Sequence, residues 1–99
     1  MRIVFMGTPD FAVSALDAVY RAGHEIVSVI TMPDKPKGRK GEPAPTPVKE
    51  LAMSLGLEVY QPASLKSDGV YEYLRSLKPD VIVVSAYGKI VPKRILELP

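Results

Sequence analysis

Residues 2–11 read Arg-Ile-Val-Phe-Met-Gly-Thr-Pro-Asp-Phe, and this stretch decides the fold. Positions 3–6 form a short apolar run without polar alternation, the pattern of a strand buried in a parallel sheet. Gly7 ends the run. Thr8 can then cap a helix, Pro9 suits its first position, and Asp10 complements the helix dipole. The predicted helix runs to about residue 22, with Phe11, Ala15, Leu16, Val19 and Tyr20 as its apolar stripe and Gly23 as a left-handed stop. A strand that passes straight into a helix opens a βα unit.

The same alternation continues outward. Residues 26–31 are β-branched and apolar and predict a second strand, joined to the first by a right-handed crossover. Residues 48–55 have helical spacing stopped by Gly56, and 57–60 predict a short third strand. Ser67 and Asp68 can begin a further helix, whose buried stripe is Val70, Tyr71, Leu74 and Leu77. Residues 81–84, Val-Ile-Val-Val, predict a fourth strand, placed centrally and covered on both faces because polar alternation is absent. Pro92 is placed to open a last short helix through Leu98. The order implies an α/β fold, a Rossmann-like doubly wound parallel sheet of about four parallel strands with flanking helices, within one unit over 1–99. In such sheets ligands bind beyond the carboxyl ends of the strands where strand order reverses, here the turns after Met6 and Ser85.

Composition narrows the chemistry. The 99 residues are 46% hydrophobic and 24% charged, in the ordinary range for one soluble domain. The longest apolar runs fall far short of the roughly 20 residues of a spanning helix, and Met1-Arg2 leads directly into a strand instead of a signal peptide, so a cytoplasmic location is expected. The chain has no Cys and a single His, His24, which excludes thiolate chemistry and leaves little material for a metal site; no metal is expected. It also has no Asn. A net charge of +2 is too small to argue for nucleic acid, so any such partner must be read from where the charges cluster.

Three segments carry candidate surfaces. The turn Gly7, Thr8, Pro9, Asp10, Phe11 offers free backbone N–H groups at a helix start. It is not a dinucleotide fingerprint, because no glycine lies between Gly7 and Gly23. Residues 32–47 contain five prolines and the cations Lys35, Lys37, Arg39 and Lys40. This composition predicts a long exposed loop, neither helix nor strand, suited to phosphate contacts. Residues 85–92 leave the fourth strand, where Gly88 allows a flat ligand to approach closely. Tyr71 is expected in the core and Tyr73 on the surface. His24, between Gly23 and Glu25, reads as a turn residue and not as a general base.

Taken together, Arg-Ile-Val-Phe-Met-Gly-Thr-Pro-Asp-Phe at 2–11, Met-Pro-Asp-Lys-Pro-x-Gly-Arg at 32–39, Pro-x-Pro-Val-Lys at 45–49 and Ala-Tyr-Gly-x-Ile-Val-Pro at 86–92 resemble the bacterial-type methionyl-tRNA formyltransferase family in order and spacing. Gly-His at 23–24, Gln-Pro at 61–62 and Lys-Pro-Asp at 78–80 also fit. The resemblance covers essentially the whole chain. It implies formyl transfer from 10-formyltetrahydrofolate to the α-amino group of methionine on initiator tRNA. By that resemblance Gly7, Thr8, Pro9, Asp10 and Phe11 border the acceptor pocket. Arg39, helped by Lys35, Lys37 and Lys40, contacts the tRNA acceptor arm, and Tyr87, Gly88, Lys89, Ile90 and Val91 line the folate pocket.

The chain departs from the family in one respect. The family's catalytic Asn, His and Asp belong to a later Asn-x-His strand and Ser-Leu-Leu-Pro loop, so no catalytic residue is expected here and the chain alone is expected to be inactive. By the same resemblance, a carboxy-terminal barrel that helps bind tRNA in the family is not expected within these 99 residues. Without its later neighbour the fourth strand would be an open edge that invites dimerisation. Competing readings are a folate-dependent formyltransferase of an amino sugar or purine precursor, a noncatalytic folate- or RNA-binding module, and a Rossmann-type nucleotide binder. The basic segment argues against the first and the missing glycine fingerprint against the last.

Overall fold

β1 (Arg2–Gly7) runs between two parallel neighbours, β2 (Glu25–Ile30) and β6 (Val81–Ser85). The computed structural model describes residues 1–37 and 42–99, with side chains at 1–34 and 44–99. Between β1 and β2 lies α1 (Asp10–Arg21). Beyond β2 come β3 (Lys35–Lys37), β4 (Glu42–Ala44), α2 (Pro47–Ser54), β5 (Val59–Tyr60) and α3 (Asp68–Ser76); α4 (Lys93–Leu96) follows β6. The parallel sheet has the order β5-β2-β1-β6, so the chain winds one way from β1 to β2 and β5 and the other way to β6. The strand order reverses beside β1, as in a doubly wound sheet.

Alternate residues of β1 feed two helical layers. Phe5 enters a core with Ala12 and Leu16 of α1 and Val48 and Ala52 of α2. Val4 and Met6 point the other way, into a core with Val70 and Leu74 of α3 and Ile95 of α4. These are the period-two faces of a buried strand, both apolar because both are covered. Helix boundaries follow local chemistry: Thr46 and Ser67 cap α2 and α3 by accepting the N–H groups of Lys49 and Val70, and Gly23 and Gly56 take positive φ just past α1 and α2. Among the described residues no helix is long and apolar enough to cross a membrane.

Several expectations are corrected. The apolar stripe of α1 is built on Ala12 and Leu16, whereas Phe11 is 70% exposed and Tyr20 is also exposed. Segment 32–47 is not free of strand, since β3 and β4 form an antiparallel pair with Pro36 opposite Pro43. In a two-stranded ribbon each strand keeps an unpaired edge, and a proline whose missing N–H would point outward removes nothing from the ladder. β6 is the open edge expected among the described residues, pairing with β1 alone, but it is not covered on both faces, since Val84 is exposed. An apolar run by itself does not separate an edge from a centre.

Tyr73, expected on the surface, is half-buried. The register slips between Ile3↔Ile26 and Val4↔Ser28, leaving Val27 as an extra residue. Such a bulge puts Val27 and Ser28 on one side of the sheet. Val27 packs against the α3-side core, and the Ser28 hydroxyl shares a 3.0 Å hydrogen bond with that of Tyr73, whose ring lies 4.4 Å from Tyr60. Tyr71, expected in the core, is only half-buried, with the Arg94 guanidinium 4.7 Å from its ring centroid.

Candidate functional site

At the carboxyl end of the sheet, Gly7 sits opposite Ser85. A Cβ on Gly7 would stand 2.8 Å from Phe5 Cε1, 2.9 Å from the Ser85 carbonyl oxygen and 3.0 Å from Ala12 Cβ. Only a residue without a side chain lets β1, β6 and α1 converge this closely.

Thr8 then ties three strand ends together. Its Oγ1 donates to the Tyr87 carbonyl at 2.6 Å, beyond β6, and accepts the Met32 N–H at 3.3 Å, beyond β2. The expected capping role is corrected: the N-cap of α1 is Pro9, with no side-chain cap bond. The Thr8 hydroxyl is engaged by Tyr87 and Met32 across the sheet and makes no bond to the helix start. Thr8→Val should therefore leave an N–H and a carbonyl without their partner in a partly buried place, costing about 1–3 kcal/mol in urea unfolding, while Thr8→Ser should lose less than half as much.

Beyond β6 the backbone is irregular. Ala86 has φ 52° and Gly88 φ 110°, left-handed values that an alanine adopts only at a cost of about 1 kcal/mol. The result is a cleft of about 410 Å³ lined by Thr8, Pro9, Phe11, Met32, Ala86, Tyr87 and Gly88. That volume suits a small organic ligand. Phe11 is exposed at the cleft, which explains why it is missing from the α1 core. Met32 forms a further part of the lining, its Cγ 3.4 Å from where a Gly88 Cβ would lie.

The candidate residues divide on this geometry. Thr8, Pro9 and Phe11 meet Tyr87 and Gly88 in one cleft, Gly7 lies buried beneath it, and Asp10 stands exposed at the start of α1, outside the lining. Lys89 and Ile90 belong to a neighbouring hollow of about 490 Å³ with Ser64, Leu65, Lys66 and Pro92. Lys89 Nζ donates to the Ala63 carbonyl, and Val91 packs against the α3-side core. Lys35 and Lys37 bound β3, but their side chains lie outside the described residues, as do Arg39 and Lys40 entirely. His24 precedes β2 and so sits at the opposite end of the sheet from the cleft. Among the described residues no cluster of His, Cys, Asp or Glu could hold a metal.

Tyr87 is 2% exposed, and burial, then the neighbouring Tyr60, pushes its phenol up from its ordinary pKa. Its hydroxyl is buried without a hydrogen-bond partner among the described residues. Because an orphaned hydroxyl carries a desolvation cost, Tyr87→Phe should raise stability by about 1 kcal/mol in urea unfolding. It should also remove a share of the stability lost as pH rises from about 10 through the higher folded pKa, since the unfolded phenol ionises first.

A polar cluster adjoins the cleft. The Asp34 carboxylate accepts from Gln61 Nε2 at 2.7 Å and from Lys49 Nζ at 3.2 and 3.1 Å. Hydrogen bonds from Gln61, then Lys49, hold its pKa below the usual carboxylate range, so it is ionised at neutral pH. Gln61 Nε2 also donates to the Met32 carbonyl at 3.1 Å. Sequence reasoning gave Met32, Asp34, Lys49 and Gln61 no role, although each lies in a segment matched above. Their spacing carries no period that would bring them together.

The formyl transferase family profile matches residues 1–99. Methionyl-tRNA formyltransferase of Agathobacter rectalis is 52% identical over 99 residues, which are 100% of this chain and 32% of that protein. Those of Marinobacter nauticus and Myxococcus xanthus are 52% and 56% identical, over 100% and 99% of this chain and 32% and 31% of those proteins. The chain thus spans about a third of the length of the curated relatives it matches. Among solved structures, phosphoribosylglycinamide formyltransferase from Bacillus halodurans superposes with a TM-score of 0.69 at 16% identity, over 99% of this chain and 51% of that one. Glycinamide ribonucleotide transformylase 1 from Symbiobacterium toebii gives 0.65 at 19%, over 99% and 47%. At such identities these two show the shared fold. With the profile matched from the first residue to the last, the chain belongs to the formyl transferase family.

Proposed function

We propose that in the intact protein this chain supplies part of the site that transfers a formyl group from 10-formyltetrahydrofolate to the α-amino group of methionyl initiator tRNA. The observation that carries the reading is the cleft in which the turn after β1 faces the exit from β6 across Met32. The names of the relatives at 52–56% identity support the acceptor. Pro9 and Phe11 border the methionyl end, Tyr87 and Gly88 the folate side, and the hollow at Lys89 and Ile90 continues it. Lys35, Lys37, Arg39 and Lys40 contribute the phosphate contacts. In the reaction the amine lone pair attacks the formyl carbon, the bond from that carbon to folate N10 breaks, and the proton lost by the amine is balanced by one gained at N10.

The chain's own contribution is binding and orientation. Among the described residues the only ionisable side chain lining the cleft is Tyr87, whose hydroxyl is buried, and His24 lies at the far end of the sheet. Catalysis by the chain alone is therefore not expected. The reaction is placed in the cytoplasm, and the exposed edge of β6 is the surface on which two copies of the chain would pair. The test is formylation of charged initiator tRNA with 10-formyltetrahydrofolate by this chain and by the intact protein. Activity confined to the intact protein supports the reading; activity of the chain alone refutes the division of roles, and inactivity of both refutes the acceptor.

A further inference from the structure

The cationic segment leaves the sheet through a neck tied by side chains on both strands. On its near side Thr31, fully buried, shares a 2.7 Å hydroxyl–hydroxyl bond with Thr46, the residue that caps α2. Next to it Asp34, which precedes β3, is held by Lys49 of α2 and by Gln61, which follows β5. The Asp34 and Lys49 side chains are only 28% and 21% exposed, so this is a partly enclosed pair and not a loose surface ion pair. Gln61 reaches further, to the Met32 carbonyl, while Thr8 holds the Met32 N–H. The peptide groups on both sides of Met32 are thus fixed, and its side chain lies in the cleft lining.

In sequence Asp34 immediately precedes the segment of four cations, and a carboxylate there opposes the attraction they supply to an anionic polymer. What that carboxylate supplies in the structure is geometric: it ties the entry to β3 to α2 and to the residue after β5. We propose that Asp34, Lys49 and Gln61 form a positioning clamp that fixes the exit of the β3–β4 hairpin relative to the cleft at Met32, so that an RNA gripped by the hairpin presents its end to the cleft. The clamp touches neither reacting group; it sets the separation between grip and chemistry. This inference rests on the proposed tRNA acceptor.

Two variants of the intact protein test it. Asp34→Asn removes a negative charge, so simple electrostatics tightens RNA binding while the clamp weakens it. Gln61→Leu leaves the net charge unchanged, so any loss of RNA affinity is geometric. For both, the KM for methionyl initiator tRNA, and the Kd from fluorescence anisotropy, should rise roughly tenfold, with kcat at saturating tRNA and the KM for 10-formyltetrahydrofolate within about twofold of the unmodified protein. Equal or tighter RNA binding by Asp34→Asn, or unchanged binding by Gln61→Leu, overturns the clamp. So does a loss in which kcat and both KM values worsen together with thermal stability, the signature of a merely structural role. If the unmodified protein neither binds nor formylates methionyl-tRNA, the acceptor reading falls and the clamp with it; normal formylation with indifferent variants removes the clamp alone.

Discussion

Gly7→Ala is expected to lower kcat/KM for formyl transfer in the intact protein roughly 100-fold, the scale of an ångström-sized misplacement of positioning groups. Two of the three atoms that would crowd the new Cβ have little freedom. The Ser85 carbonyl oxygen is main chain of the neighbouring strand, and the Phe5 ring is fully buried. The third, Ala12 Cβ, belongs to α1. Relief therefore requires β1 to part from β6 or α1 to lift, and either motion opens the Thr8 bridge to Tyr87 that closes the floor of the cleft. Overpacking of this kind also costs about 1–3 kcal/mol of stability. The stability loss alone cannot produce the kinetic loss, because a protein still mostly folded at assay temperature loses little active fraction. Steady-state kinetics beside urea unfolding separate the two, and a kcat/KM within twofold of the parent would show that β1 and β6 do not need this close approach.

Much of the fold follows from signals that act over a few residues. The run at 3–6 broken by Gly7, the β-branched 26–31 and the left-handed stops at Gly23 and Gly56 are local, and strands and helices lie close to where they point. What could not be read depends on partners distant in sequence. Thr8 has the local signature of a cap, yet its hydroxyl is claimed by Tyr87 and Met32. Phe11 reads as a core position by its spacing, but it stands where α1 has only just begun and the cleft interrupts the layer above. Helical phase alone turns Tyr73 outward, but the bulge at Val27, invisible to any period, brings Ser28 to meet it. Of the site, the two turns that line the cleft were legible because strand ends at a reversal of order gather ligands. Met32 and the Asp34 cluster were not, since their proximity arises only after β2, α2 and β5 are assembled.

The largest stability loss is expected for Phe5→Ala, about 3–5 kcal/mol in urea unfolding. Phe5 is fully buried in the middle of β1, between Val29 of β2 and Val83 of β6 in register. Its ring enters the core formed with Ala12 and Leu16 of α1 and Val48 and Ala52 of α2. Losing the ring leaves a cavity that the surrounding core refills only in part, which sets the cost. Domains of this size have about 5–15 kcal/mol in total, so the variant should be partly unfolded at physiological temperature. The substitution also bears on Gly7, because Phe5 Cε1 is the nearest of the three atoms a Gly7 Cβ would meet. In a Phe5→Leu background, which folds more readily, Gly7→Ala should then cost less than in the parent, with a coupling of about 0.5–2 kcal/mol in a double-mutant cycle. The remaining penalty, set by the Ser85 carbonyl and Ala12, should not vanish. Strict additivity would mean that the strand, and not the ring, yields to the methyl group, and that the tight approach of β1 to β6 is softer than its geometry indicates.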